Sequence, residues 1–494
     1  MRRLPVVLLC LVLSLSVFSF WTAVAQTGGQ TSKPRLVPTS RPSIPVAPKP
    51  AEANLTAPPG SALYVAKRGD SIPGIAHHYL GQTKYLTSSE LADAIRQAND
   101  GLHGTFLKAG EPVVVPGILA LPIVEKPVPV AREFEVRAIY LTGVMAASDH
   151  GLKIVEHWRE VGGNAVVFDI KDSDGLVNIP FEHPLLGSHH VAFHDLPKYV
   201  RFLHSQNMHA IARVAIFRDQ RLVTEHPELA VKSHRTGQPW RENGKLVWTD
   251  PSQPKVQEYD IALAKKAAEA GVDEVQFDYV RFPAEGDQKD ASFVFQTEHP
   301  DWRRSDVIAN FLKHAYADLH PTGVLLSLDV FGVMAWQRPV DLSHTGQDIV
   351  QMAKYCDVLS PMIYPSHFFG MDNIARPGDA PEHFIGESMD RFEKITQGSG
   401  VVIRPWLQAF HWRTKTYSPK YIEVQVLTAK NKGGIGFLFW NAANDYSKPY
   451  AAMPEMRAEN LKEKDKYFRG DVLPTVAQAS LTPVSAVAPV AETH

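Results

Sequence analysis

Eight short apolar runs alternate with longer amphipathic stretches over residues 133–468. Between the runs, apolar residues recur at helical spacing, and Val256, Tyr259 and Leu263 share one face of such a helix. Glycine, which often ends helices, precedes several runs, as Gly271 does. Eight strand–helix repeats predict an α/β fold, a closed (β/α)8 TIM barrel. The alternative is a doubly wound open sheet, but no Gly-x-Gly-x-x-Gly follows the first run. The runs are 136–141, 165–170, 210–217, 274–279, 324–330, 358–364, 401–409 and 435–440.

The segments that flank this region predict an exported protein. Residues 1–25 combine Arg2 and Arg3 with an apolar stretch and a final Ala-Val-Ala, which is typical of a signal peptide. An uncleaved membrane anchor is the alternative. Residues 26–60 and 472–494 are rich in Pro, Ser, Thr and Ala and are predicted to be disordered. We therefore expect a secreted, periplasmic or cell-wall-associated protein.

Composition argues against several classes of function. A net charge of −2 argues against nucleic-acid binding through bulk electrostatics. Without the signal segment only Cys356 remains, so we expect no intramolecular disulfide, and we interpret this cysteine as a buried apolar filler. The sequence contains no P-loop and no Gly-x-Ser-x-Gly motif. We expect a monomer that needs neither a cofactor nor a metal ion.

Residues 61–118 predict a small module with strand, helix, helix and strand in that order. Ser71 follows a Gly-Asp turn and is suited to cap the first helix. With Tyr64, Gly69, Asn99 and the closing Val-Val-Val-Pro strand, this pattern resembles a LysM domain. The resemblance implies that the module binds peptidoglycan or another glycan containing N-acetylglucosamine. The alternative is a copy that has kept the fold and lost the ligand.

Polar side chains lie where the apolar runs end, and a barrel carries its active site at that end of its strands. The fourth run leads into Asp278, and the fifth holds Asp329. Cleavage of a glycosidic bond needs one carboxylate that stabilises or attacks the anomeric carbon and one carboxylic acid that protonates the leaving oxygen. Two aspartates on neighbouring strands can divide these roles if burial raises the pKa of one. We predict Asp278 and Asp329 as the catalytic pair.

Further residues near the strand ends are predicted to hold a sugar through hydrogen bonds and ring stacking. A salt bridge from Asp278 to Arg213 or Arg281 would instead make Asp278 structural, and Asp329 could simply fix a loop. Asp169 could line the cleft or form a fixed ion pair, and His367 could belong only to a loop. The predicted substrate-binding residues, with Trp406 and Trp440 as stacking platforms, are Tyr140, Asp169, Lys171, Arg213, Gln276, Arg281, Tyr364, His367, Arg404, Trp406, Gln408, Trp440 and Asn441.

Several segments together resemble a bacterial family of glycoside-hydrolase-like proteins, the domain of unknown function DUF4015. The resemblance implies a barrel related to α-amylase-like enzymes, in which an aspartate ending strand four is the nucleophile and a glutamate ending strand five is the acid. Asp278 matches the first of these, whereas Asp329 stands where the second would be a glutamate. The segments are 136–140, 168–172, 248–251, 276–283, 329–332, 346–348, 360–367, 404–410 and 440–442.

The sequence therefore predicts a secreted glycoside hydrolase that cleaves a cell-wall or exported polysaccharide and is held there by its LysM-like module. One alternative is a non-catalytic glycan-binding or scaffold protein with a degenerate barrel, in which salt bridges lock Asp278. That protein would bind sugar without turnover. Another alternative is a transglycosylase, against which the release of free reducing ends would argue.

Overall fold

The computed structural model describes residues 56–100, 107–119, 124–125 and 130–460. The predicted signal segment, most of the predicted linker 26–60 and the predicted tail 472–494 lie outside these residues. Among the helices described, none has the length and apolar character needed to cross a lipid bilayer.

The amino-terminal module contains two strands and two helices in the predicted order. Ser71 Oγ accepts a hydrogen bond from the Gly74 N–H at the start of the first helix. Asn99, directly after the second helix, accepts from the Val114 N–H and donates to the Val114 carbonyl, both at 2.8 Å, which fastens that helix to the closing strand. The elements are β1 (Ser61–Val65), α1 (Ile72–Tyr79), α2 (Ser88–Ala98) and β2 (Pro112–Pro116), and β1 and β2 pair antiparallel.

A closed parallel barrel follows, and the predicted TIM-barrel fold is confirmed. Each barrel strand pairs with the next along the chain, and the last pairs with the first, which closes the sheet. The barrel strands are β3 (Val136–Leu141), β4 (Ala165–Lys171), β5 (His209–Ala215), β7 (Glu274–Asp278), β9 (Leu325–Phe331), β10 (Val358–Ile363), β11 (Val402–Ile403) with β12 (Trp406–Gln408), and β13 (Gly436–Trp440). Two short strands in the connecting loops, β6 (Lys232–Ser233) and β8 (Ala291–Ser292), pair antiparallel.

Helices follow the barrel strands and cover the outside of the barrel. The helices are α3 (Gly143–Ala146), α4 (Asp149–Glu160), α5 (Leu196–Ser205), α6 (Gln220–Glu225), α7 (Pro254–Glu269), α8 (Phe295–Glu298), α9 (Arg304–Leu319), α10 (Pro339–Thr345), α11 (Ile349–Met352), α12 (Pro381–Thr396), α13 (Pro419–Asn431) and α14 (Ser447–Asn460). Short 3-10 turns occupy Leu80–Gln82, Pro227–Leu229, His320–Thr322, Gly332–Trp336, Ala353–Tyr355, Pro365–His367 and Pro377–Asp379.

The seventh barrel strand is interrupted, although the sequence predicts one continuous run over 401–409. β11 ends at Ile403 and β12 begins at Trp406. Pro405 between them has no N–H to donate to the neighbouring strand, so the ladder breaks there. Its carbonyl still accepts from the Leu438 N–H at 3.0 Å, which keeps the two pieces in one strand position.

Two separate apolar layers hold the barrel. The larger cluster packs the outward faces of the strands against the helices, with Phe168, Leu263 and Phe311 among its members. A smaller cluster fills the barrel interior and includes Val136, Ile211, Trp406 and Leu438. Side chains of a strand alternate between these two layers, so every second residue faces the interior.

A buried ion network closes the amino-terminal end of the barrel interior. Glu274 Oε2, at the start of β7, accepts from Arg404 Nη1 at 2.8 Å and lies 3.0 Å from His209 Nε2. Burial alone would raise the pKa of the Glu274 carboxyl, but Arg404 and His209 favour its charged form and bring the pKa down to about 2. This end of the barrel is therefore filled by protein, and the opposite end remains for a site.

Helix α7 and strand β7 place Asp278 at that opposite end. Gly271 joins the helix to the strand with φ of 90°, a left-handed conformation that favours glycine. Every residue of β7 is buried, and the strand ends at Asp278. The predicted helix, glycine cap and buried strand are all present.

Candidate active site

Three aspartates surround one arginine at the carboxyl-terminal end of the barrel. Asp169 lies near the end of β4, Asp278 ends β7, and Asp329 lies on β9. Arg213 projects from β5, the strand between β4 and β7. All four residues are buried. The four neighbouring strands therefore bring three carboxyl groups to a single guanidinium.

Arg213 contacts these carboxyl groups unequally. Its Nη2 and Nε donate to Asp278 Oδ2 at 2.5 and 3.2 Å. Its Nη1 donates to Asp169 Oδ1, and its Nε lies 4.0 Å from Asp329 Oδ2. Because one atom, Arg213 Nε, lies near both Asp278 Oδ2 and Asp329 Oδ2, those two oxygens are at most about 7 Å apart. Glycosidases place their two carboxyl groups roughly 5–9.5 Å apart.

One guanidinium cannot neutralise three ionised carboxylates in a buried site. Burial, together with the nearby charge of Asp278, raises the pKa of Asp329 well above its usual value, and Arg213 only partly opposes this. Burial also raises the pKa of Asp169, against the influence of Arg213 and of the Tyr140 hydroxyl. The cluster therefore favours a protonated Asp329 beside an arginine-paired Asp278.

Trp406 fixes the orientation of Asp329. The indole Nε1 donates to Asp329 Oδ1 at 2.7 Å, and both side chains are almost completely buried. With Oδ1 accepting from the indole, Oδ2 is the oxygen that faces Arg213 and the site. A proton carried on Oδ2 is therefore directed towards the space shared with Asp278.

The backbone directly after Asp278 is held in an unusual conformation. Tyr279 has φ of 56°, in the left-handed region that few residues other than glycine adopt. This turn lets the Tyr279 N–H donate to Asp278 Oδ1 at 2.6 Å. Both oxygens of Asp278 thus accept hydrogen bonds, one from the backbone and the other from Arg213.

Aromatic rings form a wall beside the carboxyl cluster. The rings of Tyr140 and Trp440 are stacked, with centroids 6.3 Å apart, and Tyr364 lies 6.0 Å from Trp440. The Tyr140 hydroxyl donates to Asp169 Oδ2 at 2.5 Å, which ties the wall to the cluster. Phe410 stands nearly perpendicular to Trp440 at 5.4 Å. Flat apolar rings beside hydrogen-bonding groups suit the faces and hydroxyls of a sugar.

The structure places one group of the predicted residues around this mouth. Trp406 belongs to the group, but it lies beneath the site as a hydrogen-bond donor, so its placement does not support the predicted role of stacking platform. The residues brought together are Tyr140, Asp169, Arg213, Asp278, Asp329, Tyr364, His367, Trp406 and Trp440.

Lys171 lies outside the mouth, in a buried network behind the barrel wall. Its Nζ lies 2.8 Å from Asp260 Oδ1 on α7 and 2.9 Å from Asp219 Oδ2, with no exposure to solvent. Alternation would point Lys171 to the same side as Asp169, but a bulge between the two residues shifts the register and turns Lys171 outward. The predicted contact with substrate is not supported by this placement.

Four more predicted residues support the barrel rather than its mouth. Gln276 donates to Ser360 Oγ inside the barrel, and Arg404 is buried against Glu274 at the far end. Gln408 and Asn441 fix loops: the Gln408 amide donates to the Phe410 carbonyl at 3.0 Å, and the Asn441 amide donates to the Ala409 carbonyl at 2.6 Å. Their placement does not support direct sugar contact.

Arg281 lies beside the mouth but is covered by rings. Its guanidinium packs 4.3 Å from the ring centre of Phe331 and 4.8 Å from that of Trp248. Its Nη1 donates to the Phe282 carbonyl at 3.0 Å. Among the described residues, no salt bridge joins Arg281 to Asp278. Of the two arginines predicted as alternatives for a structural salt bridge with Asp278, Arg213 is therefore the one that forms it.

Four residues at or near the mouth were not among the predicted site residues: Phe410, Trp412, Arg413 and Tyr446. The buried Tyr446 hydroxyl donates to the Tyr140 carbonyl and accepts from the Tyr140 N–H at 3.1 Å, which positions β3 at the mouth. Phe410 and Trp412 lie in the loop after β12, and aromatic residues so close to a strand end are the sequence feature that could have indicated them. Nothing in the sequence marked Tyr446, whose partner is distant along the chain.

Within the ranges that the structure describes, no three His, Cys, Asp or Glu side chains cluster in a way that could hold a metal ion.

The family model DUF4015, described as "Putative glycosyl hydrolase domain", matches residues 138–446. This span begins in β3 and runs past β13, so it covers the barrel and every residue of the carboxyl cluster. The chain belongs to the DUF4015 family. The description of that family and the barrel fold support a glycan-degrading function.

Solved structures resemble this DUF4015 chain to different extents. A hypothetical protein from Ruminiclostridium thermocellum ATCC 27405 is 38% identical, with coverage of 39% of this chain and 97% of the other and a TM-score of 0.35. The glycoside hydrolase domain of PgaB (BpsB) from Bordetella bronchiseptica is 14% identical, with coverage of 65% and 98% and a TM-score of 0.48. The spore cortex-lytic enzyme SleL of Bacillus megaterium QM B1551 is 11% identical, with coverage of 79% and 85% and a TM-score of 0.38. No curated protein matches the chain.

Proposed function

We propose that this protein is an exported glycoside hydrolase that cleaves a polysaccharide at the carboxyl-terminal mouth of its barrel. In this proposal Asp329 gives its proton to the departing glycosidic oxygen while the carbon–oxygen bond breaks. The Asp278 carboxylate stabilises or attacks the anomeric carbon, and water completes the hydrolysis. The observation that carries the proposal is the pair of aspartates on neighbouring strands, no more than about 7 Å apart, of which Asp278 is paired with Arg213 and Asp329 has a raised pKa.

The different surroundings of the two aspartates support this division of roles. Asp278 accepts two hydrogen bonds from a guanidinium, which pairs it with a positive charge. Asp329 has one indole donor and is more deeply buried, which favours its neutral form. A glycosidase needs this combination of a carboxylate and a carboxylic acid. The bound on their separation is compatible with both retention and inversion, so the anomeric form of the first product decides between them.

The aromatic wall supports a sugar as the ligand. Tyr140, Tyr364 and Trp440 line one side of the carboxyl cluster with ring faces. A sugar stacked here would present its ring oxygens and hydroxyls to the carboxyl groups.

A second candidate is a non-catalytic glycan-binding protein with a degenerate barrel. The contact that favours it is the double hydrogen bond from Arg213 to Asp278, which holds a proposed nucleophile in an ion pair. In that case the protein binds sugar and releases no new reducing ends. The two candidates therefore differ in one measurable quantity, turnover.

The proposal is tested by incubating the full chain with a panel of cell-wall and exported polysaccharides and assaying reducing ends. The Asp278→Asn variant serves as the paired sample, because it keeps the size of the side chain and removes its charge. We expect release by the wild type, with turnover abolished but sugar binding retained in the variant. Binding without release by the wild type would establish the second candidate, and full activity of the variant would remove Asp278 from the mechanism.

We further propose that the module over residues 61–118 is LysM-like and holds the enzyme on peptidoglycan or another glycan containing N-acetylglucosamine. Its strand–helix–helix–strand order supports this proposal. The module packs on the barrel: Lys198 Nζ donates to the Leu80 carbonyl at 2.8 Å, and the hydroxyls of Thr87 and Ser89 donate to Asp149. A pull-down on purified peptidoglycan by the full chain, compared with a chain lacking 61–118, tests the role. Equal retention of both would contradict it.

Export through residues 1–25, and a secreted or wall-associated location, are part of the same proposal and rest on the sequence. Fractionation of cells expressing the full chain measures both location and signal cleavage. A protein confined to the cytoplasm would contradict this part of the proposal without affecting the active site.

A further inference from the structure

An aromatic and basic surface lies just outside the mouth of the barrel, in the loops after β10 and β12. Trp412 and Phe369 are 38% and 71% exposed, whereas most large rings of the barrel are buried. The Arg413 guanidinium lies between them, 4.4 Å from a ring centre of Trp412 and 5.1 Å from that of Phe369. We call Phe369, Trp412 and Arg413 the outer platform.

The outer platform continues the aromatic wall of the mouth. The His367 ring lies 5.3 Å from Tyr364 in the wall and 4.8 Å from Trp412 in the platform. Phe410, which contacts Trp440, also lies 6.0 Å from His367. A chain of ring contacts therefore runs from the carboxyl cluster to the solvent-exposed rings. A polymer that enters the mouth along this wall meets the platform next.

Hydrogen bonds and close packing hold the loop that carries Trp412 and Arg413. Asp379 Oδ1 accepts from Thr414 Oγ1 at 2.8 Å and from the Lys415 N–H at 2.6 Å. Gly378 packs so closely that a Cβ there would come within 2.3 Å of the Arg413 carbonyl oxygen. Arg413 itself has φ of 48°, in the left-handed region. Because the backbone of this loop is already held, less conformational entropy is lost there when a ligand binds, which favours a binding role.

The charges around the platform are predominantly positive. A cavity of about 430 Å³ beside it is lined by Phe369, Arg376, Arg413 and Lys415, with Asp379 as the single carboxylate in its lining. The bonds from the 414–416 loop occupy Asp379 Oδ1. Among the described residues, no carboxylate lies within salt-bridge distance of Arg376, Arg413 or Lys415. The cationic groups are therefore available to an anion.

We propose that the outer platform is a subsite for a carboxylate-bearing sugar of the polysaccharide, outside the bond that is cleaved. The exposed rings take the apolar face of the sugar ring, and the Arg413 guanidinium takes its carboxylate through paired N–H donors. A neutral glycan would use the rings but not the cations. This inference rests on the proposed function, and it names the substrate of that site as an acidic glycan.

The test is a binding measurement, so that it stays separate from turnover. The full chain carrying Asp278→Asn is titrated at low salt with oligogalacturonate, hyaluronan oligosaccharides and muramic-acid-containing glycan fragments. Each glycan is paired with its carboxyl-reduced, neutral counterpart. We expect at least one acidic glycan to bind about tenfold more tightly than its neutral counterpart. If none does, the proposal is overturned.

Variants then assign the preference to the platform. Arg413→Gln should remove the preference for the acidic glycan and leave the affinity for the neutral one unchanged, whereas Trp412→Ala should weaken both. Arg413→Lys keeps the charge without the planar fork and should restore only part of the preference. Arg159→Gln, at an exposed position near the far end of α4, is the matched control and should bind as the parent does.

The outcomes separate this inference from the proposed function. An unchanged preference in Arg413→Gln overturns the platform whatever the turnover assay shows. Acidic-glycan binding that depends on Arg413, in a chain that never releases reducing ends, supports the platform and removes the proposed hydrolysis.

Discussion

The hydrogen bond from Trp406 to Asp329 should tune the proton affinity of the proposed acid. Trp406→Phe keeps an aromatic ring and removes the N–H that donates to Asp329 Oδ1 at 2.7 Å. That bond favours the charged carboxylate and opposes the effect of burial on the pKa of Asp329. A buried hydrogen bond to a charged group contributes about 1.5–3 kcal/mol, and one pKa unit corresponds to about 1.4 kcal/mol. The variant should therefore raise the pKa of Asp329 further, by about one unit or more.

The assay is the pH dependence of kcat/KM for polysaccharide cleavage. A general acid must be protonated to act, so activity falls on the alkaline side as the pH passes its pKa. We expect this alkaline limb to move upward by about one pH unit in Trp406→Phe. The matched control is Trp158→Phe, which removes a buried indole that donates to the Arg137 carbonyl at 3.0 Å, far from the mouth. It should lower stability without moving the limb. A limb that moves down, or an equal shift in the control, would refute the assignment of Asp329 as the acid.

Three further predictions concern stability. Lys171→Met leaves two buried aspartates, including Asp260, without their cation. It should lower the free energy of unfolding, measured by urea titration, by about 3–5 kcal/mol. An unchanged free energy would contradict the buried network. Glu274, with its pKa depressed to about 2 beside Arg404, should contribute about 3 kcal/mol to the free energy of unfolding above pH 5. This contribution is lost as the pH falls from about 4 to about 2. Glu274→Gln should abolish that pH dependence of stability. Gly271→Ala places an alanine at φ of 90°, which should destabilise the fold by about 1–2 kcal/mol and lower the melting temperature. An unchanged melting temperature would show that this position does not require glycine.

The barrel could be predicted from the sequence because its strands are buried on both faces. Such strands appear as continuous apolar runs separated by helical stretches, and each predicted run overlaps a strand position of the barrel. The exception is informative: the run over 401–409 is divided at Pro405, whose missing N–H was visible in the sequence. The positions of the predicted strand ends also indicated that four side chains would meet at the mouth, those of Asp169, Arg213, Asp278 and Asp329.

The depth of individual side chains in the barrel, and the direction in which they point, could not be predicted in the same way. Lys171 follows Asp169 by two positions and shares its parity, yet a bulge that no sequence signal marked turns it outward. Arg404 and Trp406 both face inward, but the register of the strands places Arg404 against Glu274 at the far end and Trp406 beneath Asp329. Such placements depend on pairing between distant strands, which one sequence does not display.

The central claim is that Asp278 acts as the charged group and Asp329 as the acid. The most direct test compares Asp278→Asn and Asp329→Asn on the polysaccharide and on a dinitrophenyl glycoside of the same sugar, whose leaving group needs no proton. We predict that Asp329→Asn loses about 10²–10⁴-fold on the polysaccharide but cleaves the activated glycoside nearly as well as the wild type, while Asp278→Asn fails on both. Full activity of Asp329→Asn on the polysaccharide, or cleavage of both substrates by Asp278→Asn, would contradict this account.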